Sequence, residues 1–260
     1  MTRSYRCDRC DAVEFEQALE FGFWLPPICP VCFAENEESA AIREARNIRD
    51  ESESRLRRAR LPRAYFAERT LRAVIADVND AHQGATPEWF SAAVAACSRL
   101  LRGQLPGRSG IYLSGPAGTF KTSLAAATLA AWVRDAGHTG LFVSYPQWLS
   151  DLYATYSDTS TQSEAELVWQ LQSVPALVLD DLGAERATEH ATLQLFKLLD
   201  YRYRTDREAG GKRWLIVTSN RPMSKLGGRI ERGTDTETAG RIMRRLSEML
   251  VDVSAGETVR

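Results

Sequence analysis

Lysine is scarce in this 260-residue chain, occurring only at Lys121, Lys197, Lys212 and Lys225. Arginine carries the rest of the positive charge, and with abundant alanine this bias reads as a genome-composition effect. Long apolar runs are missing. None approaches the roughly 18 residues that a membrane-spanning helix needs, which predicts no membrane partner. The opening Met1-Thr-Arg-Ser-Tyr-Arg-Cys7 has no apolar stretch of the kind a secretory leader carries, so the expectation is a cytoplasmic protein. Net charge is nearly absent, at −1, and argues neither for nor against a nucleic-acid partner. Internal repeats and long low-complexity tracts are lacking. What remains is 44% hydrophobic content, enough for one sizeable core and a small accessory unit.

Cysteine is also sparse, but it is concentrated. Four of the five cysteines form Cys7-x-x-Cys10 and Cys29-x-x-Cys32, with 18 residues between the pairs. Two such pairs predict a tetrahedral Zn2+ site, each placing two thiolates on one side of the ion. Disulfides and buried free thiols are the alternatives; a reducing compartment disfavours the first. A segment this short has little core, so metal would supply its folding free energy. Between the pairs lie Phe21, Phe23, Trp24, Pro26 and Pro27, which either pack the unit or form a partner surface. Cys97 lies in an alanine-rich helical stretch and reads as a small core residue.

The chain turns on Gly115-Pro116-Ala117-Gly118-Thr119-Phe120-Lys121-Thr122-Ser123. The run Gly110-Ile-Tyr-Leu-Ser114 precedes it and a helix-prone segment follows. Strand, glycine loop, lysine, hydroxyl and helix make the phosphate-binding P-loop. Backbone N–H groups at the helix start face an anion, and the helix dipole favours negative charge there. Lys121 would neutralise the β- and γ-phosphates of ATP, and Thr122 would hold Mg2+. Phe120 departs from the pattern. That position is normally glycine, which lets the backbone approach phosphate without a Cβ in the way. An aromatic there predicts weakened nucleotide binding, a displaced loop or slow hydrolysis.

Some 60 residues on, Ala176-Leu-Val-Leu-Asp180-Asp181 reads as a buried parallel strand delivering carboxylates to the sheet's C-terminal edge. Asp180 would complete the Mg2+ shell, and Asp181 would orient or deprotonate the attacking water. Trp214-Leu-Ile-Val-Thr-Ser219 is a further strand, whose polar tip predicts Asn220 near the γ-phosphate; a turn residue before Pro222 is the plainer alternative. Gly140–Ser144 and Leu250–Val253 are also read as strands.

Elsewhere the spacing predicts a helix over 86–103, capped by Thr86, and another from Pro146. In the latter, Trp148, Leu149, Leu152 and Tyr153 share a face, as core or as a stacking surface for bases. Residues 35–60 are dense in mixed charge and read as an exposed helix or linker. Within them Arg55–Arg60 is either a phosphate contact or a solvated face. Residues 227–240 read as a flexible loop, and Arg241–Leu246 as a basic helix.

Together these motifs resemble the AAA+ helicase loaders of the DnaC type and the related IstB transposition ATPases, over roughly residues 60–253. The resemblance rests on the P-loop, on Leu61-Pro-Arg-Ala-Tyr65 ahead of the core, on Asp180-Asp-Leu-Gly-Ala-Glu185 with Thr188-Glu189, Leu195-Phe196 and Arg202-Tyr203, on Thr218-Ser-Asn220, and on Arg241-Ile-Met-Arg-Arg245-Leu. It implies an α/β P-loop AAA+ core with a five-stranded parallel sheet and no C-terminal lid, preceded by a small zinc-ribbon domain. The expected boundaries are 1–36 for the ribbon, 37–60 for a charged helical linker and 61–260 for the ATPase domain. It further implies an arginine finger, Arg245 with Arg241 as second choice, that reaches a neighbouring subunit's nucleotide. The implied partners are a replicative DNA helicase, single-stranded DNA and further copies in an ATP-dependent oligomer. An IstB-like transposition accessory ATPase, and a nucleotide-binding adaptor without turnover, are the alternatives.

Overall fold

A computed structural model describes residues 2–6, 14–18, 30–65, 70–105, 107–156, 163–208 and 213–255. The chain divides into two compact units, Met1–Ser52 and Glu53–Arg260. In the first, β1 (Thr2–Arg6) pairs antiparallel with β2 (Glu14–Ala18), Thr2 opposite Ala18 and Arg6 opposite Glu14. Helix α1 (Pro30–Arg58) follows, with a proline in its first turn, where the missing N–H costs no helical hydrogen bond. The boundary between the units falls inside this helix, whose residues 46–50 are exposed. Cys7, Cys10 and Cys29 lie outside the described residues, so the zinc assignment does too; Cys32 is in the first turn of α1.

The second unit begins with the end of α1, where Leu56 and Ala59 are buried. Arg57 pairs with Glu53 at 3.6 Å, within the helix, and Arg60 reaches Gln170, far away in sequence, at 2.9 Å. A 3-10 turn (Arg63–Tyr65), α2 (Leu71–Ala81) and α3 (Glu88–Leu101) come next. The sheet elements then alternate with helices: β3 (Gly110–Ser114), α4 (Lys121–Arg134), β4 (Gly140–Ser144), α5 (Tyr145–Ala154), α6 (Glu164–Ser173), β5 (Ala176–Asp180), α7 (Glu189–Glu208), β6 (Trp214–Ser219), α8 (Met223–Ile230), α9 (Thr236–Met249) and β7 (Leu250–Ser254).

All five strands run parallel in the order β4-β5-β6-β3-β7. The central three are buried along their whole length, as the near-continuous apolar runs of a doubly covered parallel sheet require. Alternate side chains feed two cores. Ile111 and Leu113 pack with α2, α3 and α4, whereas Tyr112, Leu177, Leu179, Leu215 and Val217 pack with α5 to α9.

At the N-terminal edge of the sheet lies Arg202, fully buried on α7. Its guanidinium donates to the carbonyls of Leu171 (3.0 Å), Val174 (2.8 Å), Pro175 (3.2 Å) and Trp214 (2.8 Å). It thereby ties the end of α6 to the starts of β5 and β6. Burial pulls its pKa down to about 9.

Two expectations are corrected. Residues 227–240 are not a loop: α8 covers 223–230 and α9 starts at Thr236. Met223, Leu226 and Ile230 bury one face of α8, and Gly227 faces Met243 of α9, where a Cβ would make an ordinary contact at 3.4 Å. Asp235 caps α9, accepting from Thr238 N at 2.8 Å. Nor does Thr86 cap α3, for its hydroxyl bonds the Asn79 side chain and Pro87 occupies the cap position.

Candidate nucleotide site

The loop between β3 and α4 has left-handed backbone at three places. Gly115 has φ 151° and Gly118 φ 81°. A Cβ on Gly115 would sit 2.5 Å from the Cβ of Ala255, so the residue after β7 packs directly on the loop's first glycine. The third is Phe120, at φ 63° and ψ 14°, immediately before the first residue of α4. An L-residue in this region costs about 1–2 kcal/mol. The loop therefore keeps the turn that glycine supplies in the motif, and the departure is stored as backbone strain. The ring is half-buried and packs against the α2–α4 core.

Lys121 is the first residue of α4, and only 5% exposed. Its Nζ folds back over the loop, donating to Pro116 O at 2.7 Å and Thr119 Oγ1 at 3.1 Å. Burial lowers its pKa, while Asp181 and Asp180 work against that shift. These neutral partners are ones that phosphate oxygens can replace.

One residue further into the helix, Thr122 Oγ1 donates to Asp180 Oδ1 at 2.9 Å. Asp180 ends β5 and is 6% exposed. Its pKa is raised by burial, partly offset by hydroxyls from Thr218 and Thr122. Because its proton is directed at Asp180, Thr122 has only lone pairs left to offer a cation. Two hard oxygen donors beside a phosphate loop are what Mg2+ takes, the phosphates and water completing its shell.

Strand β6 lies between β5 and β3, and its tip fastens both. Ser219 O accepts from Gly115 N at 3.2 Å. Ser219 Oγ donates to Leu182 O at 2.6 Å. Thr218 Oγ1 donates to Asp180 Oδ1 at 2.6 Å and accepts from Asp181 N at 3.0 Å. Asp181 itself has φ 60°. Thr218 is the residue that sequence reasoning missed. Its signal was the hydroxyl two places before Asn220, but reading it needed the strand order. Asn220 follows β6, is exposed, and makes no side-chain hydrogen bond with the described residues.

Lys121, Thr122, Asp180 and Asp181 thus come together, with Asn220 at the adjoining strand end. Arg241 and Arg245 do not join them. Arg245 contacts Asp200 at 3.2 Å and Glu248 at 3.7 Å and lies 3.9 Å above the Tyr203 ring. Asp200 is two residues from Arg202, hence at the end of the sheet away from the phosphate loop. Arg241 is exposed and pairs with Glu237. The aromatic stripe of α5 divides: Tyr145, Trp148, Leu149 and Leu152 are buried, whereas Tyr153 and Tyr156 are exposed beside His190.

Comparison with known proteins adds a family. The profile of the IstB-like ATP binding protein family matches residues 91–254. The Escherichia coli (strain K12) protein YdaV is 33% identical over 106 residues, covering 41% of this chain and 42% of that protein. The crystal structure of DnaI is similar at TM-score 0.56 and 26% identity, covering 75% of this chain and 94% of DnaI. The DnaC helicase loader shares the fold at TM-score 0.51 and 21% identity, covering 65% and 90%. AMPPCP-bound DnaA from Aquifex aeolicus does so at TM-score 0.52 and 19% identity, covering 74% of this chain and 51% of DnaA. The chain thus spans less than half of YdaV and about half of DnaA.

Proposed function

Because this chain belongs to the IstB-like ATP-binding protein family, we propose that it is an ATPase that binds a replicative hexameric DNA helicase and helps place it on single-stranded DNA. The observation that carries the reading is the likeness to DnaI, which extends over 94% of the chain in that crystal structure. The phosphate loop would cradle the ATP phosphates, with Lys121 exchanging its contacts to Pro116 and Thr119 for phosphate oxygens. Thr122 and Asp180 would hold Mg2+, which supplies charge neutralisation on the β- and γ-phosphates. Asp181 would orient the attacking water, and Asn220 would meet the γ-phosphate. Arg245, or Arg241, would serve the nucleotide of a neighbouring copy, since neither approaches its own. The exposed rings of Tyr153 and Tyr156 are suited to stacking on unpaired bases. Cys7, Cys10, Cys29 and Cys32 would bind Zn2+, and the first unit would grip the helicase. The strained Phe120 is consistent with slow turnover.

The test is affinity capture of the tagged protein with ATP and Mg2+, followed by mass spectrometry, beside a Cys7/Cys10→Ser variant. A hexameric helicase, recovered with wild type and lost with the variant, is the expected result. Recovery of a transposase would instead favour a transposition accessory role. Phe120 favours a second reading, an adaptor that binds nucleotide without turnover. Equal background ATP hydrolysis by wild type and Lys121→Ala would select it.

A further inference from the structure

Hydrogen bonding at the tip of β6 concentrates on one fully buried hydroxyl. Thr218 Oγ1 has one proton and directs it at Asp180 Oδ1, 2.6 Å away. It also accepts from Asp181 N at 3.0 Å. The main chain of the same residue is engaged: Thr218 O accepts from Leu182 N at 2.9 Å. One residue thus holds the carboxylate of Asp180 and the backbone on both sides of the left-handed turn at Asp181. Register explains how. Leu179 pairs with Val217, so the next step along the sheet sets Asp180 beside Thr218, and Leu113 of the phosphate-loop strand pairs with Thr218 from the other side.

Oδ1 of Asp180 receives two hydroxyl protons, from Thr122 and from Thr218. The two donors are not equivalent. Thr122 sits on the phosphate-loop helix and is itself a candidate cation ligand, so its position answers to the nucleotide. Thr218 sits on a central strand between β5 and β3 and has no exposure to solvent or ligand. Its hydroxyl is the fixed reference for the carboxylate, and Asp180 Oδ2 makes no protein hydrogen bond among the described residues.

We infer that Thr218 is the positioning residue of this site: it locks the Asp180 carboxylate for the divalent cation and fixes the Asp181 turn through one shared hydroxyl. The inference rests on the reading of this site as one for ATP and Mg2+, not on any helicase. Thr218 acts through Asp180 and Asp181 and touches no substrate. Outer hydrogen bonds of this kind are worth about 10- to 100-fold in metal affinity or activity.

The experiment compares wild type with Thr218→Val, which keeps the β-branched shape, and Thr218→Ser, which keeps the hydroxyl. Binding of a fluorescent ATP analogue is measured in EDTA and across an Mg2+ titration. For Thr218→Val the expected result is unchanged binding in EDTA and an Mg2+ midpoint raised about 10- to 100-fold. Thr218→Ser should match wild type. If the valine variant does not fold, Thr218→Cys carries the same test, because a thiol is a weak donor of similar size.

An Mg2+ midpoint identical to wild type in the valine or cysteine variant would overturn the inference. So would equal losses in EDTA and in Mg2+, which mark a packing role. Absence of Mg2+-dependent nucleotide binding in wild type is a different result, and would overturn the underlying reading of the site as well.

Discussion

Phe120 permits a test in which the usual rank of alanine and glycine reverses. The ring is half-buried against the α2–α4 core, and its backbone is left-handed. Phe120→Ala removes the ring but keeps a Cβ at φ 63°. Half of a large apolar side chain's burial is worth about 1–1.5 kcal/mol, so this variant loses about that much. Phe120→Gly loses the same packing but relieves about 1–2 kcal/mol of left-handed strain. Glycine's greater freedom in the unfolded chain takes back about 0.4–1 kcal/mol. The glycine variant should therefore be more stable than the alanine variant by about 0.5–1 kcal/mol, where the opposite order holds at ordinary backbone angles. Urea unfolding followed by circular dichroism reads this directly, provided that all three proteins share one m-value. In a unit of this size the gap corresponds to about 1–4 °C in Tm. Nucleotide affinity should not fall in the glycine variant. An alanine variant as stable as the glycine variant, or more so, would refute the assignment of strain to Phe120.

Two further outcomes follow from buried charge. Arg202→Met should destabilise the protein by about 3–5 kcal/mol, because carbonyls of Leu171, Val174, Pro175 and Trp214 lose their donor together; a loss under about 1 kcal/mol in the same urea assay would count against this. Asp180→Asn should raise thermal stability at neutral pH while removing Mg2+-dependent nucleotide binding. Burial lifts the Asp180 pKa above its unfolded value, so the folded state resists ionisation and the charged carboxylate costs stability above the folded pKa. That cost falls as pH drops through the folded pKa and vanishes below the unfolded value of about 3.9. Melting curves of both proteins between neutral pH and about pH 4 should therefore converge, and a constant difference would refute the assignment.

The parts of the site carried by contiguous residues were legible in the sequence. Gly115 to Thr122 is a local turn announced by its glycines and Lys121-Thr122, though not by Phe120, whose left-handed backbone its residue type disfavours, and Ala176 to Asp181 announces a doubly buried strand by composition alone. What depended on strand order was not legible. Nothing in Trp214 to Asn220 reveals that this strand enters between β5 and β3, and without that placement Thr218 is an ordinary β-branched strand residue. The same limit explains the arginines: Arg245 is recognisable as a helix residue, but its distance from Lys121 emerges only once α7 and α9 are laid along the sheet. Residues 227–240 misled for a compositional reason. Gly227 and Gly228 signal a turn, yet they lie in a short helix whose buried face of Met223, Leu226 and Ile230 outweighs their low helix propensity.

The placement of Arg245 also bears on how copies of this chain would be counted. Under the proposed arrangement, one copy's sheet base is offered to another copy's loop edge, so the two surfaces of a contact are different and each copy has one of each. Such head-to-tail contacts generate rows that stay open unless their rotation closes. An open row always has one nucleotide site without a neighbour's arginine, at its leading end, and one arginine without a site, at its trailing end. The terminal copy is thus chemically distinct from the rest although its sequence is identical, and activity per copy would rise with the length of the row rather than stay constant.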